Sequence, residues 1–559
     1  MLDKKCYLGT LRSNKYLPIL IPLVLTSFTH VWNPIGFPDF FYDEGIYLRR
    51  AMHVLEGLGP QESPYLYDHP FFGQLFLAGM FKLLNFPQSI AGGELSDTAT
   101  IDSLFLVPRL IMGGLAVLDT FLIYKIAEKQ YGTNVALVSA ILFSVMPMTW
   151  IFRRILLDSI LVPFLLSSIL FALNRSFDSN RKYIWALLSG ICFGLAIFTK
   201  VTTVAMIPVL CYLLIKLPNK STASHKYGSL LLWLVPVILI PSLWPLESIL
   251  SGNFNYWVDT VIWQAERLDR LTGLPQMTAV FIIADPLLFT LSAIGAIYAV
   301  LRKNWLIVLW EVPFIIFLAV IGQPSYFHWA TLVPVFCIAA AIALVEGLPR
   351  LLESIKVFNR KISYVIISVA CILGLIFTTI IISTDVSLAQ RQTISYSISF
   401  LENNSFNKTD DDVTIISNPS YSWVFKYVYR ANNTLSDFRD AIYYPIETQD
   451  WLLIADHHYK AEMLIEPKLQ ELYDDTQVVT TFNSYPLSGV DRVSYPYTNL
   501  ILTAGGCEIE ITTKRTDGDD SNSNDYDDVV SDATNTPRCY LVVERWLNDL
   551  GWKQESRVN

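Results

Sequence analysis

Pro70-Phe-Phe-Gly-Gln-Leu-Phe-Leu-Ala-Gly-Met-Phe-Lys-Leu-Leu-Asn-Phe86 is the stretch on which the reading of this chain turns. Counted as a full crossing of a bilayer, it inverts every loop that follows. Counted as a helix lying along or dipping into the interface, it leaves all the Lys- and Arg-rich short loops on one side. The second reading is adopted, so residues 34–103 form one long outer loop.

The chain around it is a multi-pass membrane protein by composition. Of 559 residues, 52% are hydrophobic and only 16% charged, with a mean hydropathy of +0.40. That is too apolar for a soluble globule. The long runs lack strand-like alternation, so helices must satisfy the backbone in lipid. Eleven spans are read at 15–33, 104–126, 134–150, 155–173, 183–199, 201–215, 228–248, 278–301, 305–321, 327–346 and 362–383. Lys4, Lys5, Arg12 and Lys15, then Lys125 and Lys129, Arg175, Arg181 and Lys182, Lys216, Lys220 and Lys226, Arg302 and Lys303, and Arg350, Lys356, Arg360 and Lys361 all fall on the inner side. The N-terminus is then cytoplasmic and the polar tail lies outside. The basic start before the first span resembles a signal peptide, but no small-x-small cleavage site follows, so it is read as an anchor.

Two domains are expected: a transmembrane helix bundle over 1–383 and a small extracytoplasmic α/β domain over 384–559. In the tail, Val413–Ser417, Trp451–Ala455, Val478–Phe482 and Cys539–Val543 read as strands, and Ala461–Leu472 as a helix. Asp517–Asn535 reads as an acidic solvated loop rather than a calcium site. Cys192, Cys211, Cys337 and Cys371 sit in spans as small apolar residues. Cys507 and Cys539 share the outer domain, where a disulfide is chemically allowed but not decided by sequence. Asn403, Asn407 and Asn432 stand in glycosylation sequons on the same domain.

This topology places the polar motifs on one face. Asp43, Glu44, Asp68 and His69 fall in the first outer loop; Arg109, Arg153, Arg154, Asp158, Lys200, Tyr326 and His328 fall in outer turns or the span ends beside them. Arg109, Arg153, Arg154 and Lys200 run against the positive-inside bias. Cations held there need an anionic partner, and a phosphate group supplies one. Each residue also has a plainer reading. Asp43 and Glu44 suit the start of a helix, Asp158 suits an ion pair with Arg153 or Arg154, Lys200 suits snorkelling, and Tyr326 and His328 suit an interfacial belt. Asp119 and Glu311, inside spans, are expected to be structurally paired, with proton coupling as the second reading. Residues 252–277 read as an amphipathic surface helix.

Six motifs in order carry a family resemblance over about 40–335. They are Asp43-Glu44-x-x-Tyr47, Tyr67-Asp68-His69-Pro70, Pro108-Arg109-Leu110, Arg153-Arg154-Ile-Leu-Leu-Asp158, Gly190-x-x-x-Gly194-Leu-Ala-x-x-Thr-Lys200 and Tyr326-Phe-His328-x-x-x-Leu-x-Pro334. The chain resembles the GT-C glycosyltransferase superfamily, in its protein O-mannosyltransferase and aminoarabinose-transferase-like branch. One departure is Phe71, where that branch often has a second proline. The resemblance implies an inverting transfer of a sugar, hexosyl or mannosyl, from a polyprenyl (dolichyl-type) phosphate to an acceptor hydroxyl on a protein, glycan or lipid outside the cytoplasm.

By the same resemblance, Asp43 is the general base, while Glu44, Asp68 and Asp158 orient acceptor, sugar or cations. Arg109, Arg153, Arg154 and Lys200, with His69, Tyr326 and His328, hold the donor phosphate. No cofactor is required for a monophosphate leaving group; a divalent metal on Asp68 with His69 or His328 is the alternative. The compact loops and tail favour a prokaryotic plasma membrane over the endoplasmic reticulum. A transporter or flippase of lipid-linked sugars, or a non-catalytic relative, are the competing readings, and the acidic balance gives no sign of nucleic acid as a partner.

Overall fold

The computed structural model describes residues 17–61, 67–90, 94–177, 181–215, 223–266, 273–320, 325–354, 360–403, 413–443, 450–464, 466–483 and 509–514. The chain is divided into two units. The first comprises residues 1–34, 57–76 and 109–382, the second 35–56, 77–108 and 383–559. The expected outer loop 34–103 is thus shared between them.

The first unit is built of apolar helices, and the chain is an integral membrane protein. Among the described residues, six helices are long and apolar enough to cross a membrane: Thr98–Tyr131, Leu157–Arg175, Lys182–Thr199, Gly228–Leu250, Val333–Ser354 and Lys361–Ile382. Two bent pairs, Thr133–Val145 with Pro147–Arg153 and Met277–Ala284 with Pro286–Leu301, raise the number to eight. Shorter apolar helices at Pro18–Val31, Val201–Ile215 and Trp305–Val320 coincide with the other three expected spans. They fall short of the roughly 20 residues that a straight crossing takes, so length and composition support six to eight crossings where the hydropathy reading has eleven. The stretch 70–86 forms the short helix Phe72–Leu83.

Close backbone approach joins the central helices. A Cβ added at Gly190 would lie 2.4 Å from the carbonyl oxygen of Trp233, and one at Gly194 would lie 2.6 Å from that of Pro236. The Gly-x-x-x-Gly spacing therefore seats helix Lys182–Thr199 against helix Ala223–Leu239, as small residues do between membrane helices. Two buried arginines close the end of the first helix, Leu17–Val31. Arg153 donates to the carbonyls of Thr29 (2.5 Å), Trp32 (2.8 Å) and Asn33 (2.7 Å), and Arg109 to that of Pro34 (2.9 Å). Cations at a helix C-terminus satisfy its orphan carbonyls and oppose the macrodipole. The pairing expected for Asp119 is not found among the described residues. It is fully buried in helix Thr98–Tyr131 and neither carboxyl oxygen has a hydrogen-bond partner.

The second unit holds a four-stranded mixed sheet: β1 (Val413–Ile416), β2 (Asp450–Ala455), β3 (Thr476–Phe482) and β4 (Ile509–Lys514), in the order β1-β2-β4-β3. β1 and β2 are parallel, the other two pairings antiparallel. The unbroken apolar run of β2 reflects burial on both faces. Trp451, Leu453 and Ala455 join Ile416, Phe438, Tyr459 and Leu469 in one core. The expected helix 461–472 is two helices, His457–Met463 and Pro467–Asp474, because Pro467 starts a new helix rather than continuing the old one. β4 is a strand the sequence reading missed, and Cys507, Asn407, residues 517–535 and the expected strand 539–543 lie outside the described residues. Asn403 and Asn432 are both exposed.

Early segments are integral to this unit. The side-chain amide of Gln390 brackets Phe40, accepting from its N–H (2.7 Å) and donating to its carbonyl (2.8 Å). Phe40 stacks on Phe105 at 3.6 Å, and Phe105 meets Trp423 edge to face at 5.3 Å. Arg391 pairs with Asp102 and Asp385.

Candidate functional site

In the first unit the site residues are assembled where helices end. Asp158 occupies the first turn of helix Leu157–Phe177, a position the helix dipole favours for a carboxylate. Lys200 follows the last residue of helix Lys182–Thr199 in extended conformation (φ −154°, ψ 121°). Its ammonium donates to Asp158 Oδ2 at 2.6 Å, with side chains only 3% and 2% exposed. The partner of Asp158 is therefore Lys200, not Arg153 or Arg154. Lys200 is committed to a buried pair rather than snorkelling, and its ammonium also lies 4.7 Å from the ring centroid of Phe327. Asp158 Oδ1 is buried with no hydrogen-bond partner, which leaves one acceptor available beside a cation.

The third wall is the 3₁₀ turn Tyr326–Thr331. His328 Nδ1 accepts from the Ser325 N–H at 3.0 Å, which fixes the ring, and Lys200, Asp158 and His69 all lie within electrostatic reach of it. Tyr326 meets Trp150 at 5.6 Å between ring centroids, and the Arg154 guanidinium stands 5.0 Å from the Trp150 ring. Trp150 thus ties Tyr326 to Arg154. Neither Trp150 nor Phe327 was singled out in the sequence, although Phe327 stands inside the Tyr326-Phe-His328 motif and Trp150 precedes Arg154 by one helical turn.

The segment carrying Asp68 and His69 is held by aromatic packing. Phe71 meets Phe198 edge to face at 4.8 Å, and Phe72 packs on Phe164 and Phe198 at 5.4 and 6.1 Å. Gly73 lies against Leu157 and Thr199, the neighbours of Asp158 and Lys200. Phe71 therefore shares the seating of this turn with Tyr67, Phe72 and Gly73.

Asp43 and Glu44 belong to the second unit, in the first turn of helix Tyr42–Leu55. Glu44 is buried and its Oε2 accepts from the Phe41 N–H at 3.0 Å, so it caps its own helix. Asp43 is half-buried. The helix is gripped along its length: Tyr42 donates to Asp437, Arg49 to the Ser436 carbonyl, and a Cβ at Gly45 would strike the Pro419 backbone at 2.1 Å. Among the described residues no group of three or more His, Cys, Asp or Glu side chains is placed to hold a metal ion.

Residues 94–244 match the family model described as dolichyl-phosphate-mannose-protein mannosyltransferase. This segment contains Arg109, Arg153, Arg154, Asp158 and Lys200. No curated protein sequence matches the chain. Among solved structures, the chain is similar to ArnT from Cupriavidus metallidurans bound to undecaprenyl phosphate, at 12% identity and a TM-score of 0.53. That alignment covers 90% of this chain and 98% of that one. The apo state of the same protein aligns at 13% identity and a TM-score of 0.52, over 91% and 98%. The archaeal oligosaccharyltransferase AglB from Archaeoglobus fulgidus, in complex with an inhibitory peptide and a dolichol-phosphate, aligns at 11% identity and a TM-score of 0.50, over 86% and 76%. At these identities the likeness is one of fold. The chain therefore shares its fold with ArnT and AglB, and residues 94–244 resemble the mannosyltransferase family model.

Proposed function

We propose that the protein transfers a sugar from a polyprenyl-phosphate carrier to an acceptor hydroxyl on the extracytoplasmic side of a prokaryotic plasma membrane. The observation that carries this reading is the buried Lys200–Asp158 pair with its unbonded Asp158 Oδ1, set beside His328 and Phe327. Breaking the sugar–phosphate bond puts negative charge on the departing lipid phosphate and oxocarbenium character on the anomeric carbon. Lys200, with Arg154 and His69, stabilises the first. Asp158 Oδ1 accepts from a sugar hydroxyl, and Tyr326 and His328 line the donor. Arg109 and Arg153 support this indirectly, through the carbonyls of residues 29–34. The base that takes the acceptor proton is assigned to Asp43, with inversion at the sugar carbon. Glu44 holds the turn that carries it, and Asp68 orients the sugar or acceptor.

The description of the matched family favours a mannosyl donor and a protein acceptor. A monophosphate leaving group carries less charge than a pyrophosphate, so the cations suffice and no metal is required. The test is release of polyprenyl phosphate from a panel of polyprenyl-phosphate sugars by purified protein, with membrane extract as the acceptor source. Release that is lost in both Asp43→Asn and Lys200→Met supports the reading. Donor binding without turnover, unaffected by either change, overturns it in favour of a transporter or a non-catalytic relative.

A further inference from the structure

The first unit contains a cavity of about 240 Å³ whose lining includes Tyr131, Tyr298, Arg302, Lys303, Trp305 and Glu346. Helix Val333–Ile342 and the π-helical turn Ala343–Gly347 separate Glu346 from the His328 turn. Thirteen helical steps from Val333 amount to about 20 Å. The cavity therefore sits at the opposite end of the bundle from Lys200 and Asp158 and takes no part in the chemistry proposed there.

We propose that this cavity binds the phosphate headgroup of a membrane lipid. Arg302 and Lys303, both exposed, have no ion pair among the described residues, whereas Glu346 is paired with Arg350 at 3.7 Å. The local balance is positive. Tyr298 Oη is buried without a hydrogen-bond partner, an unused donor on the wall of the same cavity. Lys303 adopts positive φ (53°), and its N–H and that of Asn304 bond back to Val300 and Ala299. This is a helix-ending turn that normally selects Gly or Asn, here occupied by a cation.

The lipid chain also has a place. Ile294, Ile297 and Leu301 lie at helical spacing and are 51%, 62% and 75% exposed, an apolar stripe that leads to Arg302. Trp305, half exposed beside it, is the residue type that marks the headgroup level. The volume is below the roughly 300–1,000 Å³ of pockets that enclose a whole ligand. It suits a headgroup whose acyl chains stay in the bilayer, with Arg and Lys supplying charge-assisted bonds to the phosphate.

The experiment is native mass spectrometry of the full-length protein, delipidated in detergent and titrated separately with phosphatidylglycerol, diacylglycerol and inorganic phosphate. Saturable retention of one phosphatidylglycerol, weakened at least about tenfold in Arg302→Gln with Lys303→Gln and severalfold in Tyr298→Phe, and unchanged in Lys200→Gln, is the expected result. Diacylglycerol, which lacks the phosphate, is not retained. Retained inorganic phosphate that displaces the lipid identifies the free ion as occupant and overturns the lipid assignment. Equal retention by wild type and Tyr298→Phe, or loss only in Lys200→Gln, overturns the site, and Tyr298→Phe decides it should the double variant fail to fold.

Discussion

The hydroxyl of Tyr42 donates to the carboxylate of Asp437, joining residues 395 positions apart. Arg439 braces the contact, donating to Tyr42 Oη at 3.1 Å and to Glu462 at 2.9 Å. Burial pushes the Asp437 carboxyl up to about 7, against the lowering pull of the Arg439 N–H and guanidinium. A carboxyl raised above its unfolded value favours the folded state at low pH, and that contribution is lost as pH rises from about 4 through about 7. Asp437→Asn is expected to flatten the slope of melting temperature against pH in that window. An unchanged slope would assign it to other groups.

Lys200→Met leaves Asp158 buried without its cation, and a loss of about 3–5 kcal/mol in stability is expected. Lys200→Met combined with Asp158→Leu removes both charges and should regain most of it. Polyprenyl-phosphate release should stay abolished in the stable double variant. If turnover returned with stability, the pair would be scaffold only.

Arg153 and Arg154 are adjacent but predicted to differ. Arg153→Ala strips three carbonyls of their donor and should cost on the order of 3 kcal/mol or more, with buried acceptors left unsatisfied. Arg154→Ala loses its contact with Trp150, worth about 1–2 kcal/mol. Its larger effect should be a rise in KM for the lipid-linked donor. Thermal melts and donor titrations on the two variants separate these outcomes.

Gly194→Ala should destabilise by about 1–3 kcal/mol, since the new methyl meets the fixed carbonyl of Pro236. Gly114→Ala, with nothing within 4 Å of the new atom, should be neutral or slightly stabilising. Melting of the two variants in one detergent makes the comparison.

Much of this arrangement is legible in sequence where a single physical signal dominates. Hydropathy locates the helices of the first unit, and the charge of Asp158 and Lys200 in apolar surroundings requires a partner. Which partner is a different matter: Arg153 and Arg154 are nearer in sequence, but the helix-end geometry delivers Lys200. Glu44 reads equally well as cap or catalyst until its bond to the Phe41 N–H is seen. β4, Ile509–Lys514, is short and carries Glu510 and Lys514, so alternation alone does not lift it above the polar sequence around it. Trp150 acquires a role only through the turn at Pro147, where the helix bends by 70°.

The seating of Gly45 on Pro419 has a consequence for how the protein is made. The helix bearing Asp43 emerges from the ribosome some 370 residues before the backbone it rests against. A ribosome stalled before residue 413 leaves a chain whose apolar helices can enter the bilayer while Tyr42, Arg49 and Gly45 still await their counterparts. Emergence of residues 419–437, rather than membrane insertion, is the event that gives the helix bearing the proposed base its packing partners.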